Sequence, residues 1–93
     1  MSRLDEAAIA AALARAPGWT RAGAEIRRTY RFGDFRAALA FVNRVGALAE
    51  AAGHHPDIDI RYNRVTLALT THDAGGLTTK DFDLARAIDT PAP

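Results

Sequence analysis

The chain has 93 residues, no cysteine, and 12 basic against 11 acidic side chains, for a formal net charge of +1. That length fits one small core and leaves no room for a second. The missing thiols exclude disulfides, zinc ribbons and cysteine catalysis, and the balanced charge argues against direct nucleic-acid binding, which needs excess cations to displace phosphate counterions. No apolar run approaches the ~20 residues of a membrane span, and no basic-then-apolar leader opens the chain. The expectation is a cytoplasmic protein without membrane contact, with residues 1–93 forming one domain.

The first expected element is a helix from Asp5 to Ala16, with acidic residues at its positive end and Pro17-Gly18 as its stop. Ile9 and Leu13 are its large apolar residues. A hairpin follows, Trp19–Arg21 and Ile26–Phe32, turning through Ala22-Gly23-Ala24. Ile26, Tyr30 and Phe32 alternate with Arg27, Thr29 and Arg31, the period of a strand with one buried face. Arg28 falls on the apolar side, so it must reach an edge or meet a carboxylate.

Asp34 caps the longest helix, Phe35 to Ala52, and Gly53 is the expected left-handed terminator. Phe35, Leu39, Val42, Gly46 and Ala49 form one ridge, and Phe41, Val45, Leu48 and Ala52 a second. A helix that apolar in so small a domain should pack on its own sheet and on a neighbouring subunit. The ridge through Phe41, Val45 and Leu48 is expected to supply the outer contact.

A second hairpin runs from Asp57 to Tyr62 and from Val65 to Thr71, turning at Asn63-Arg64. The loop Ala74-Gly75-Gly76 leads to a last helix, Thr79 to Ile88, capped by Thr78, and a frayed tail from Thr90 to Pro93. The order is α-β-β-α-β-β-α. Sequential hairpins favour an α+β fold, a four-stranded antiparallel sheet with three helices on one face.

All three histidines lie between positions 54 and 72. His54 and His55 enter the third strand and His72 leaves the fourth. Those strands form a hairpin, so the imidazoles should meet at one end of the sheet. Pro56 biases His55 toward extended backbone, which should turn the two adjacent rings apart. Glu50, one turn before His54, is placed to orient a ring. Asp81 shares the inward stripe of the last helix with Leu77, Leu84 and Ile88.

Each feature has a plainer reading. The histidine pair could bond to the free carbonyls at a helix end. Thr78-x-x-Asp81 fits a capping box, in which the acid bonds back to the cap residue. Glu50 could be a solvated helix residue. Three histidines and two acids also permit a metal, but adjacent histidines with a proline behind them rarely close on one ion, so no metal is expected. Nucleophilic catalysis is excluded further because Ser2 is the only serine. Proton transfer remains, since imidazole exchanges a proton near neutral pH.

Glu50, His54, His55, Pro56, Tyr62, His72 and Asp81, at these spacings over residues 50–81, resemble the signature of the pterin-4a-carbinolamine dehydratases. Trp19, the element order and Gly75-Gly76-Leu77-Thr78 agree with it. The resemblance implies dehydration of 4a-hydroxytetrahydrobiopterin to quinonoid dihydrobiopterin, recycling the pterin of aromatic amino-acid hydroxylases. It implies no metal and no bound cofactor, and a homodimer or homotetramer. It makes His54 and His72 the acid–base pair, His55 a substrate-binding partner, Glu50 and Asp81 supporting acids, and Pro56 and Tyr62 parts of the pocket wall. Some members carry an acid where Gly53 stands and a tryptophan where Ile58 stands. The rival reading is a non-catalytic pterin-binding, assembly or transcription-cofactor module; retention of all three histidines favours the enzyme.

Overall fold

Asp34 and Gly53 bound the longest element of the fold. In the computed structural model, which describes residues 2–90, the Asp34 side chain accepts from the Ala37 N–H, and Gly53 ends the helix at φ 62°. The elements are α1 (Glu6–Ala14), β1 (Thr20–Ala22), β2 (Glu25–Arg31), α2 (Phe35–Ala52), β3 (Asp57–Arg61), β4 (Arg64–Leu69) and α3 (Thr79–Asp89), with a 3₁₀ turn at His72–Ala74. The strands form one antiparallel sheet in the order β1-β2-β4-β3, and the three helices cover one of its faces. The α+β architecture follows the hydrophobic alternation of the two hairpins. Of the frayed tail expected from Thr90 to Pro93, Thr90 instead closes α3, its N–H bonding to the Arg86 carbonyl at 3.0 Å, and 91–93 lie outside the described residues.

Cross-strand register explains which face is covered. Ile26 pairs with Leu69, Arg28 with Leu67, Tyr30 with Val65, and Ile58 and Ile60 with Leu67 and Val65. These residues point one way, and Ile26, Val65, Leu67 and Leu69 are fully buried under Val45, Leu77, Phe82 and Leu84. Each such side chain contributes roughly 1.5–3 kcal/mol by leaving water. Arg27, Thr29 and Arg31 point the other way and remain exposed.

Three local expectations are corrected. Helix α1 stops at Ala14, because Arg15 and Ala16 already turn back onto the Ala12 and Leu13 carbonyls. The β3–β4 turn is Tyr62-Asn63, one residue earlier than expected, with Tyr62 itself at φ 53°. On α2 the ridge expected to face outward turns inward at Phe41, Val45 and Leu48, together with Val42 and Ala49 of the other ridge. Ala38, Val45 and Ala49 are buried, with Phe41, Val42 and Leu48 packed beside them. Phe35 and Leu39 stay 43 % and 40 % exposed. The outward apolar face is therefore Phe35–Leu39.

Helix α3 is fixed at its far end by side chains from distant elements. Asp89 accepts from Trp19 Nε1 at 2.7 Å, from Arg28 Nη1 at 3.1 Å and from the Tyr30 hydroxyl. Arg28 has found its carboxylate, and its guanidinium also lies 4.7 Å from the Tyr30 ring centroid. Burial first, and then the bond to Asp89, hold the Tyr30 hydroxyl above its ordinary pKa, so it remains a donor. Arg44 of α2 donates to the carbonyls of Ile88 at 2.7 Å and Thr90 at 2.5 Å, a cation where the helix dipole favours one. With this end held, the N-terminus of α3 is a fixed base for the histidines.

Candidate active site

Gly53 does more than end α2. Its left-handed backbone reverses the chain so that the His54 N–H bonds to the Ala49 carbonyl at 3.1 Å, placing His54 under the helix end. Pro56 follows and leads into β3, whose first residue Asp57 pairs with Ala68. The exit of β4 consequently lies beside the entry of β3. His72 sits just past that exit, at the start of the 3₁₀ turn.

The three imidazoles line one cavity of about 260 Å³, together with Gly53, Thr70, Thr71, Asp73 and Lys80. They differ sharply in surroundings. The His54 side chain is 11 % exposed and its Nε2 lies 2.6 Å from Asp81 Oδ1. The His55 ring is 63 % exposed and bonds to Glu50. The adjacent rings have turned apart. His72 stands exposed on the loop opposite them.

Asp81 is fully buried and serves two purposes at once. Its Oδ2 accepts the Thr78 N–H at 2.9 Å, completing the capping box, and also the Thr71 hydroxyl at 2.9 Å. Its Oδ1 is left for His54. A carboxylate only accepts, so the shared proton sits on His54 Nε2 and Nδ1 is the ring nitrogen not engaged by Asp81. The Thr71 proton is committed to Asp81, so Thr78 donates its own to Thr71 Oγ1 across 2.8 Å. Among the described residues no buried side-chain nitrogen or oxygen lacks a partner. This is a closed network ending in one directed imidazole.

Pro56 is half-buried and shapes the backbone beside the cavity without lining it. Tyr62 is not brought to the histidines. It is 65 % exposed at the tip of the β3–β4 hairpin, whose last pair is Arg61–Arg64, at the opposite end from Asp57–Ala68. Sequence reasoning did not single out Thr70, Thr71, Asp73 or Lys80. Thr70, Thr71 and Asp73 come with the β4 exit that the hairpin sets beside His54, and Lys80 comes with the first turn of α3, whose Asp81 holds that ring. A larger cavity of about 560 Å³ lies beyond Gly75-Gly76, but its charged walls include the Glu6–Arg21 ion pair and no imidazole. That pair lowers the Glu6 pKa, chiefly through its hydrogen bond to Arg21.

The family model for pterin 4 alpha carbinolamine dehydratase matches residues 2–91. The chain belongs to this family. A Chloroflexus aurantiacus relative is 68 % identical over 89 residues, covering 96 % of both chains, and carries that enzyme's name provisionally. So does a Thermomicrobium roseum relative, 61 % identical over 88 residues and covering 95 % of both chains. A solved structure described as a transcriptional coactivator/pterin dehydratase from Brucella melitensis superposes with TM-score 0.91 at 34 % identity, over 95 % of this chain and 96 % of that one. A second, a pterin dehydratase-like RuBisCO assembly factor of the alpha-carboxysome, aligns at TM-score 0.62 and 22 % identity, over 76 % of this chain and 82 % of that one. The latter shares the fold alone. Among the described residues no three His, Cys, Asp or Glu side chains are grouped to hold a metal ion, and no helix is long and apolar enough to cross a membrane.

Proposed function

We propose that this member of the family is a working dehydratase that eliminates water from a 4a-hydroxytetrahydropterin, 4a-hydroxytetrahydrobiopterin being the expected form. The observation that carries the reading is the cavity walled by three imidazoles, one of them directed by buried Asp81. In the reaction the C4a–O bond breaks and its electron pair leaves with oxygen, which takes a proton from an imidazolium. The N5 lone pair forms the C4a=N5 bond, and the N5 proton passes to a second imidazole. The products are water and a quinonoid dihydropterin, with no change of oxidation state. His54, through Nδ1, and His72 are the pair in these roles. His55, held by Glu50 at the rim, binds the ring. Such proton transfers are worth ~10²–10⁴-fold, which suits a substrate that already dehydrates spontaneously.

The test is direct. Purified protein is added to freshly generated 4a-carbinolamine, and quinonoid dihydropterin is followed by its absorbance. A rate no faster than the spontaneous one would leave a binding or assembly module as the reading. An aromatic amino-acid hydroxylase acting upstream would complete the recycling role.

A homo-oligomer is proposed as well, on the face of α2 that carries Phe35 and Leu39. Two large apolar side chains over 40 % or nearly so exposed, one turn apart, are best covered by a second copy. Sedimentation at micromolar concentration is expected to give dimers or tetramers, and Phe35→Ser with Leu39→Ser to shift them toward monomer. A parent protein that sediments as a monomer would refute self-association.

A further inference from the structure

We propose that Arg3 is a positioning residue for His72, an N-terminal strap across the loop that carries it. The proposal rests on the catalytic reading of His72 given above. The loop is a short closed turn: Thr71 N–H donates to the Gly76 carbonyl at 3.1 Å, and Gly76 N–H returns to the Thr71 carbonyl at 3.3 Å. Inside it, Ala74 N–H bonds to Thr71 and Gly75 N–H to the His72 carbonyl at 3.0 Å. One end of this turn is anchored in the core by the Thr71–Thr78–Asp81 network.

The other end, Gly75-Gly76, is held by residues distant in sequence. Leu4 N–H donates to the Leu77 carbonyl at 2.8 Å, and the Leu4 side chain packs on the core. That fixes the chain so that the Arg3 stem lies flat on Gly76. A Cβ at position 76 would stand 2.7 Å from Arg3 Cδ and 3.2 Å from Cγ. The Arg3 guanidinium reaches on to the Gly75 carbonyl at 3.4 Å. At that length the hydrogen bond is weak, and the packed stem is the main contact. The Gly75 N–H in turn bonds to the His72 backbone carbonyl, so movement of the strap reaches the backbone that carries the imidazole within two links.

Glycine at 76 is explained by this contact. Its backbone lies outside the left-handed region, so alanine would be tolerated by φ and excluded only by the Arg3 stem. Gly76→Ala therefore dislodges the strap without touching the histidines, and removes conformational freedom from the unfolded chain.

The experiment compares Arg3→Ala, Gly76→Ala, their double variant and Arg3→Lys with the parent. Arg3→Ala and Gly76→Ala are each expected to lower kcat about fivefold with KM unchanged, since small displacements of a proton-transfer group are costly. The double variant should also lose about fivefold, because both changes remove one contact. Arg3→Lys, which keeps a stem and a donor, should restore most of kcat. Amide exchange at Ala74, Gly75 and Gly76 should quicken in the first two variants while the thermal midpoint of Gly76→Ala stays at or above the parent's. Additive losses, or unchanged exchange and kcat in Arg3→Ala, would overturn the strap. If the parent fails to dehydrate the pterin at all, the functional reading falls, and the exchange rates alone still decide whether Arg3 orders the loop.

Discussion

His54→Ala and His72→Ala are each expected to lower turnover, by about 10²-fold, at the low end of the range for general acid–base catalysis because the substrate is labile. The two losses should depend on which 4a stereoisomer is supplied. His54 approaches from the end of α2 and His72 from the loop after β4, so they face a flat bicyclic substrate from different directions. The histidine on the hydroxyl's side acts as acid for that isomer. His55→Ala should weaken binding and turnover for both isomers alike, since its ring is exposed at the rim and tied to Glu50. Rapid-mixing measurements on each isomer check this. Should both alanine variants turn over both isomers at the parent rate, the acid–base assignment is wrong.

The legibility of this molecule in its sequence varied with the range of the interaction. The ends of α2 could be read because Asp34 and Gly53 act within one turn of their own positions. Its burial could not. Hydrophobicity ranks Phe35 and Leu39 above Ala38 and Ala49, yet the small residues are buried because there the helix lies close to its neighbours. The β3–β4 turn begins one residue before Asn63-Arg64 because Tyr62 adopts the left-handed backbone, a conformation that asparagine accepts more readily. The meeting of the three histidines followed from the hairpin alone, which fixes geometry at any sequence distance. Asp81 has two local readings in the sequence, a capping box and a site carboxylate. The contacts do not exclude one another, since one oxygen serves the helix and the other His54. Thr71 was invisible as a partner, because nothing local ties it to position 81.

Asp81 is accordingly where stability and chemistry should be hardest to separate, and where two substitutions can separate them. Asp81→Ala leaves the Thr78 N–H, the Thr71 hydroxyl and His54 Nε2 without their acceptor, in a position with no access to water. Removing one side of so buried a network costs roughly 3–5 kcal/mol. In a domain of this size each kcal/mol moves the melting temperature by about 4–8 °C, so a fall of at least ~12 °C is expected. Asp81→Asn keeps the shape and one acceptor. If its oxygen stays with Thr71 and Thr78, its amide must face His54, and Nε2 then has to accept. In the neutral ring the proton then moves to Nδ1, which Asp81 in the parent leaves as the acceptor. The expected result is a melting temperature several degrees below the parent's, with turnover reduced ~10²-fold or more at saturating substrate. Thr71→Val supplies the contrast: it removes a hydrogen bond from Asp81 while leaving His54 its carboxylate, so it should lower stability by about 1–3 kcal/mol and spare most of kcat. Thermal denaturation and steady-state kinetics on the three variants decide the matter. Parent-like turnover in Asp81→Asn would mean that the tautomer held by Asp81 is not used, and that this carboxylate serves only to cap α3.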